Sequence, residues 1–414
     1  MLRLLPKLRV LTEADRHPKV LRAIALPLTI VAWLSLPGFS QGQQSRGPYI
    51  VPPVDEKLQG ERFEISRMLR NQRFENDEER EKFRRYYLKF ALPRWAQPKN
   101  HDKLPVLRKE LRNELRTGQS GEPHDLLNSM VLAFMQKVGT HPRVHPAVRV
   151  NALLMIGELN RVEVVRPGDL PVPLPEALPV LIQTLGANDQ PEAVRAAAMV
   201  GLRYHAEFGE LSAEARSTML RTMLALVGSN QPPAEMSPDG FLWLRTRATQ
   251  VLGLIGTAGE NGSVARRVAA LLADAEEPMM LRCAAAEALG RINYAGTSNI
   301  DVMAFAGALA GFAADAIREE LEGMDKDLPT LERSRIKHRL LCAEYGLVGD
   351  EEDSAINGIV KAASTPDARA AIERYAEPIA QGIDVVDDKR MEIDEMARQL
   401  EALLGQLNPP REQS

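Results

Sequence analysis

Three stretches of this chain superimpose on one another without gaps. They are VRVNALLMIGEL at 148–159, LRTRATQVLGLI at 244–255 and LRCAAAEALGRI at 281–292. Each has an aliphatic residue, then Arg, then Ala three after the Arg, Gly eight after it and Leu or Ile ten after it. The anchors are Arg149, Ala152, Gly157 and Leu159; Arg245, Ala248, Gly253 and Ile255; Arg282, Ala285, Gly290 and Ile292. A fourth stretch, VRAAAMVGLRYHA at 194–206, keeps Arg195 and Ala198 but brings its glycine forward to Gly201. The arginines are 46, 50 and 37 residues apart, a range that suits a stacked helix pair with variable loops. An apolar stretch with three- and four-residue spacing precedes each of them, at 126–139, 175–186, 213–228 and 264–275. Gly139, Gly186 and Gly228 stand where a C-terminal helix cap would, and Pro142, Pro191, Pro232 and Pro278 follow, where a missing N–H is harmless. The unit is helix, turn, helix. The four alanines are expected where neighbouring helices approach most closely.

Over about residues 120–293 these units resemble HEAT repeats. In that family an acidic residue in the turn precedes an arginine early in the second helix, and the two ladder between neighbouring repeats. Asp189, Asp239 and Glu276 stand six residues before Arg195, Arg245 and Arg282. A carboxylate at a helix start meets free N–H groups and the positive end of the dipole, and a guanidinium can bind a carboxylate through two hydrogen bonds. The first unit departs from the pattern, with Arg143 in the acidic position before Arg149. The resemblance implies an all-α chain, an α-solenoid of about five to six HEAT-like helix pairs behind an N-terminal helical module. The divisions are 1–42 (signal peptide or anchor), 43–54 (linker), 55–118 (module), 119–386 (solenoid) and 387–414 (capping helix and tail).

Composition agrees with the helical reading. Aromatics are only 5% of the chain, which disfavours a sheet protein. Hydrophobic residues at 44% and charged residues at 26% exclude a disordered chain and a polytopic membrane protein. Beyond 293 the pattern decays. A long helix at 300–323 pairs with 330–348, where Glu332 six before His338 is a degraded ladder. Residues 352–364 and 367–382 make a weak sixth pair. The last helix, 387–407, carries Ile393, Met396, Leu400, Leu403 and Leu407 on one stripe.

The front of the chain differs in charge. Residues 1–42 carry a net +4, residues 55–118 hold 17 basic and 12 acidic side chains, and residues 119–414 carry a net −14. The apolar run AIALPLTIVAWLSL at 23–36, with basic residues before it and Gly38, Ser40 and Gly42 after it, reads as an export signal or a short anchor. The module holds Phe63, Phe74, Phe83, Tyr86, Tyr87, Phe90 and Trp95 among arginines, seven of the chain's 20 aromatics. That mixture can stack single-stranded nucleic acid; it can equally be a helical cap whose aromatics are core and whose arginines pair with Glu75, Glu78, Glu79 and Glu81. The acidic body and the export signal favour the cap and make nucleic acid a poor partner.

No Walker A, G-x-S-x-G, HExxH or CxxC motif is present. His141 and His145 each precede a proline and read as the turn of the first repeat rather than a zinc pair. Cys283 and Cys342 read as small buried hydrophobes. No residue is therefore assigned to catalysis, a cofactor or a metal. The expected partner is a protein, met on the face that Glu287, Arg291 and Tyr294 share, with Glu158 and Tyr204 at equivalent positions. Two proline-rich loops, 165–175 and 229–240, offer further stiff contacts. The expectation is an exported, non-catalytic, protein-binding scaffold of the periplasm or cell envelope. Two alternatives stay open. One is an enzyme on the same framework, as in bilin lyases and alkylpurine DNA glycosylases, which a deep pocket with a buried carboxylate would favour. The other is a membrane-tethered scaffold, should residues 23–40 stay uncleaved.

Overall fold

The computed structural model describes residues 49–234, 236–297, 300–323, 329–350, 353 and 355–407. The expected export segment and the tail beyond 407 lie outside the described residues. Among those described, α-helices dominate, and a two-stranded sheet is the sole extended element.

The front module holds α1 (Arg62–Asn71), α2 (Asp77–Tyr86) and α3 (Leu104–Gly118). The Asn76 side chain accepts the Glu79 N–H at 2.9 Å to start α2. Acidic residues fill the first turn and Arg84 and Arg85 the last, as the dipole favours. Phe83, Tyr86, Tyr87, Phe90 and Trp95 are buried, with Phe83 and Tyr87 rings 4.8 Å apart. Arg67 pairs with Glu79 at 2.7 Å and Arg85 with Glu61 at 3.1 Å. These aromatics are thus core, and only Phe63 stands well out. Helix α3 packs on α1, α4 and α5, so the module belongs to the same compact body as the rest of the described chain. The stretch before it is tied down as well: Ile50 N–H donates to Arg143 O at 2.7 Å, and Tyr49 packs edge-on against His145.

Six helix pairs follow. They are α4 (Glu122–Thr140) with α5 (Pro146–Gly157), α6 (Leu178–Gly186) with α7 (Glu192–Phe208), α8 (Ala213–Gly228) with α9 (Pro238–Ile255), α10 (Ser263–Ala273) with α11 (Met279–Arg291), α12 (Val302–Glu322) with α13 (Pro329–Leu347), and α14 (Pro366–Asp387) with α15 (Ile393–Leu407). The second helices form a row in which α5 packs on α7, α7 on α9, α9 on α11 and α11 on α13. The last pair joins in reverse: α14 continues the row against α13, while α15 packs on α12. The sixth pair is therefore not 352–364 with 367–382. Among the described residues of 352–364 only a 3-10 turn forms, at Ile359–Ala362, and α15, placed there by its buried Met396, Leu400, Leu403 and Leu407, supplies the partner.

Small residues set how closely the row packs. Ala152, Ala198, Ala248 and Ala285 are fully buried, as their repeat positions predict. Gly157 faces Gly201 so tightly that a Cβ on Gly157 would lie 2.5 Å from the Gly201 Cα. A Cβ on Gly253 would lie 2.8 Å from the Ala288 Cα. The repeated glycine is thus a contact point. None of Gly139, Gly186 and Gly228 takes the left-handed conformation; Gly256, after α9, does (φ 68°), and its N–H bonds Leu252 O at 3.2 Å.

Between α5 and α6 the chain forms β1 (Asn160–Val162) and β2 (Val172–Pro173), paired antiparallel. The first proline-rich loop is the tip and return of this hairpin.

Candidate functional site

The repeated arginines are buried, each at 5% exposure or less. A charge there needs partners. One is a carbonyl at the end of the preceding helix: Arg149 Nε donates to Gly139 O at 3.1 Å, Arg195 Nε to Leu185 O at 2.9 Å and Arg282 Nε to Leu272 O at 2.9 Å. These bonds satisfy helix C-termini with a cation at the negative end of the dipole. The other partner comes from the next pair. Arg149 donates to Gln190, Arg245 makes two bonds to the Glu277 carboxylate at 2.8 and 2.5 Å, and Arg282 donates to Asp315 at 2.8 Å.

The expected acids are one position off. Asp189, Asp239 and Glu276 are exposed, and none forms the rung; Asp189 acts on Arg149 only through its field. The receiving positions are the next residues along, Gln190 and Glu277, each just before a proline that starts the following helix. That place in the third unit is Gly240, which has no side chain to offer, and Arg195 has no acidic partner among the described residues. In its stead Glu192 accepts from Ser237 N–H at 2.8 Å and Ser237 Oγ at 2.9 Å. Further on, the row is continued by Arg339 rather than His338: it bonds Glu319 at 3.0 Å and pairs with Glu320.

The expected partner strip does not exist as an open face. Tyr294 is buried and its hydroxyl donates to Leu289 O at 2.8 Å. Arg291 is clipped between Glu287 at 3.1 Å and Asp353 at 3.0 Å. Glu158 is taken up by Arg112 at 3.3 Å and Arg108 at 3.7 Å from α3. Tyr204 donates to Asn160 Oδ1 at 2.9 Å. The 3.6-residue period finds the face of an isolated helix. It does not see the loops and neighbouring helices that cover that face.

Two groupings escaped sequence reasoning. The first anchors the hairpin. His124, Asn128, Asn160 and Glu163 are all buried. Asn128 donates to Asn160 O at 2.8 Å, Asn160 donates to Glu163 Oε2 at 3.2 Å, and the other Glu163 oxygen lies 3.9 Å from His124 Nε2. Beyond this anchor the loop exposes Val162, Val165 and Leu170, at 47%, 52% and 72%. The Asp169 side chain accepts from Arg166 N–H at 2.9 Å and shapes the tip.

The second grouping is Cys283, His338 and Cys342, whose Sγ and imidazole nitrogen atoms lie within 4.8 Å of one another. Cys283 comes from α11. His338 and Cys342 lie four apart on α13 and so share a face. Both thiols are free and buried, while the imidazole is exposed. The hydrogen bond from Cys342, with Arg339 and Arg282 beyond it, holds the Cys283 thiol below the ordinary thiol range. The same bond and burial push Cys342 up. No sequence motif marks this site, because Cys283 stands more than fifty residues before His338 and Cys342 in the chain.

A surface cleft of about 630 Å³ lies among Tyr294, Ile300, Val302, Met303, Ala363 and Ala368. Its one charged lining residue, Asp301, is occupied as the cap of α12, accepting Ala304 N–H at 2.9 Å. The cleft brings no acid–base pair together. No protein-family model and no curated protein matches the chain.

Proposed function

We propose that this chain is an exported, non-catalytic, protein-binding scaffold, an α-solenoid of HEAT-like pairs, and that it meets its partner through the hairpin between β1 and β2. The observation that carries this reading is the contrast inside one loop. Its base is braced by the buried His124–Asn128–Asn160–Glu163 network, while Val162, Val165 and Leu170 stand in solvent. Exposed apolar side chains on a braced support suit protein recognition, because little ordering entropy is lost on binding. The stacked pairs and the arginine row support the solenoid reading. The basic N-terminal segment and its apolar run support export. Among the described residues no helix is long and apolar enough to cross a membrane.

The test is affinity capture from the native envelope fraction, comparing the natural chain with a Val162→Ser, Val165→Ser, Leu170→Ser variant of unchanged helix content. Partner recovery is expected to fall by more than about tenfold, the scale of a lost hot spot. Equal recovery would remove the hairpin from the reading. Sequencing the mature N-terminus after fractionation tests export: a start near residues 41–43 is expected, an intact Met1 in the membrane fraction would select the tethered alternative, and an intact Met1 in the cytosolic fraction would overturn export.

A further inference from the structure

We propose that Cys283, His338 and Cys342 form a binding site for a thiophilic d10 cation, zinc foremost, that clasps α11 to α13. The inference is independent of the partner reading. The donor set is two sulfurs and one imidazole, the ligand types that zinc prefers. In a tetrahedral site, metal–sulfur bonds of about 2.3 Å and metal–nitrogen bonds of about 2.0–2.1 Å space the donor atoms roughly 3.5–3.8 Å apart. Here the three atoms already lie within 4.8 Å of one another, and Cys342 Sγ is 3.9 Å from His338 Nε2. Rotations of side chains on two packed helices close that gap with the backbone left in place.

The charge balance agrees. Binding a divalent cation displaces both thiol protons, leaving two thiolates and a neutral imidazole around it, a site of zero net charge. Arg282 and Arg339 flank the sulfurs, but each is paired, Arg282 to Asp315 and Arg339 to Glu319. The exposed ring of His338 gives a cation access from solvent without opening the core. A disulfide between Cys283 and Cys342 is the competing chemistry. The oxidising compartment that an exported chain meets would supply the oxidant for it, but the bridge gives no part to the imidazole beside them.

The experiment uses the full chain, reduced and stripped with a chelator. Titration with Co²⁺ should produce a thiolate-to-cobalt charge-transfer band that saturates at one ion per chain and is bleached by Zn²⁺. Cys283→Ser and Cys342→Ser should each abolish the band. His338→Gln, at the surface and therefore safe for folding, should weaken zinc by more than about tenfold, since loss of even an outer partner of a ligand costs 10–100-fold. Zinc should raise the thermal midpoint of the natural chain and leave that of Cys342→Ser unmoved. The proposal is overturned if the reduced protein binds no ion, or if binding is indifferent to all three substitutions. It is equally overturned if the isolated protein carries a Cys283–Cys342 disulfide and still takes up no ion once reduced.

Discussion

The pairs α6–α7 and α8–α9 stand next to each other and start their second helices with the same buried arginine, yet each arginine keeps only half of the pattern. Arg195 holds the carbonyl of Leu185 and lacks a carboxylate, because Gly240 stands where the next pair should supply one. Arg245 holds the Glu277 carboxylate through two bonds and lacks the backbone carbonyl that closes a helix end. Its Nε is buried without a partner, and past the end of α8 the guanidinium reaches the Asn230 side chain instead, donating from Nη2 to Oδ1 at 3.5 Å. Arg267 of α10 takes over that end, donating to Val227 O at 2.9 Å. The arginine position shared by the pairs thus serves two separable tasks, closing a helix end and linking one pair to the next. Arg195 keeps the first task and Arg245 the second.

Breaking the link should cost most. Arg245→Ala strands Glu277, whose side chain is 9% exposed, and is expected to destabilise the protein by about 3–5 kcal/mol, the cost of leaving one half of a buried ion pair. Arg195→Ala leaves only carbonyls unmet and should cost about 1–3 kcal/mol. Urea denaturation of both variants decides the matter; equal losses would mean that Glu277 adds nothing. Adding Glu277→Ala to Arg245→Ala should recover part of the loss.

Packing gives the next effect. Gly157→Ala pushes a methyl into the Gly201 backbone and should cost about 1–3 kcal/mol, as overpacking does. The same change at Gly186, where a Cβ would meet nothing within 4 Å, should be neutral or slightly stabilising. Thermal midpoints of the two variants separate the glycines that hold the row from those that end a helix.

The two pairs should also differ with pH. His205 of α7 is buried, its Nε2 has no partner, and burial pushes its pKa down to about 4 from 6.5. The unfolded chain therefore binds this proton first. Its stabilising contribution is complete above pH 6.5 and is lost as pH falls from 6.5 to 4, by at most about 3 kcal/mol. Hydrogen exchange at pH 5 should show α6–α7 opening more readily than at pH 7. His205→Leu should flatten that slope, and an unchanged slope would exclude the imidazole as its source.

The smallest effect sharpens the rule of the rungs. Gln190 occupies the position that Glu277 holds further along, and Arg149 already donates to it. Gln190→Glu should convert a neutral bond into a charged one and gain about 0.5–1.5 kcal/mol. A loss of stability on chemical denaturation would show that burial of the extra charge outweighs the bond.

What the sequence determined by itself was everything that repeats locally. Helix periodicity, the alanines of the row, the arginines at the head of each second helix and the aromatic core of the front module were legible, because each depends on neighbours within one or two turns. Tertiary structure alone decided which carboxylate each arginine meets, since a one-residue offset between pairs separates Glu276 from Glu277 and nothing local distinguishes them. It also decided that Tyr294 and Arg291 are covered, because the residues that cover them lie elsewhere in the chain: Asp353 is more than sixty positions from Arg291. And it brought Cys283 beside His338 and Cys342. No spacing encodes that meeting, because it arises only when α11 and α13 pack side by side and turn these faces toward each other.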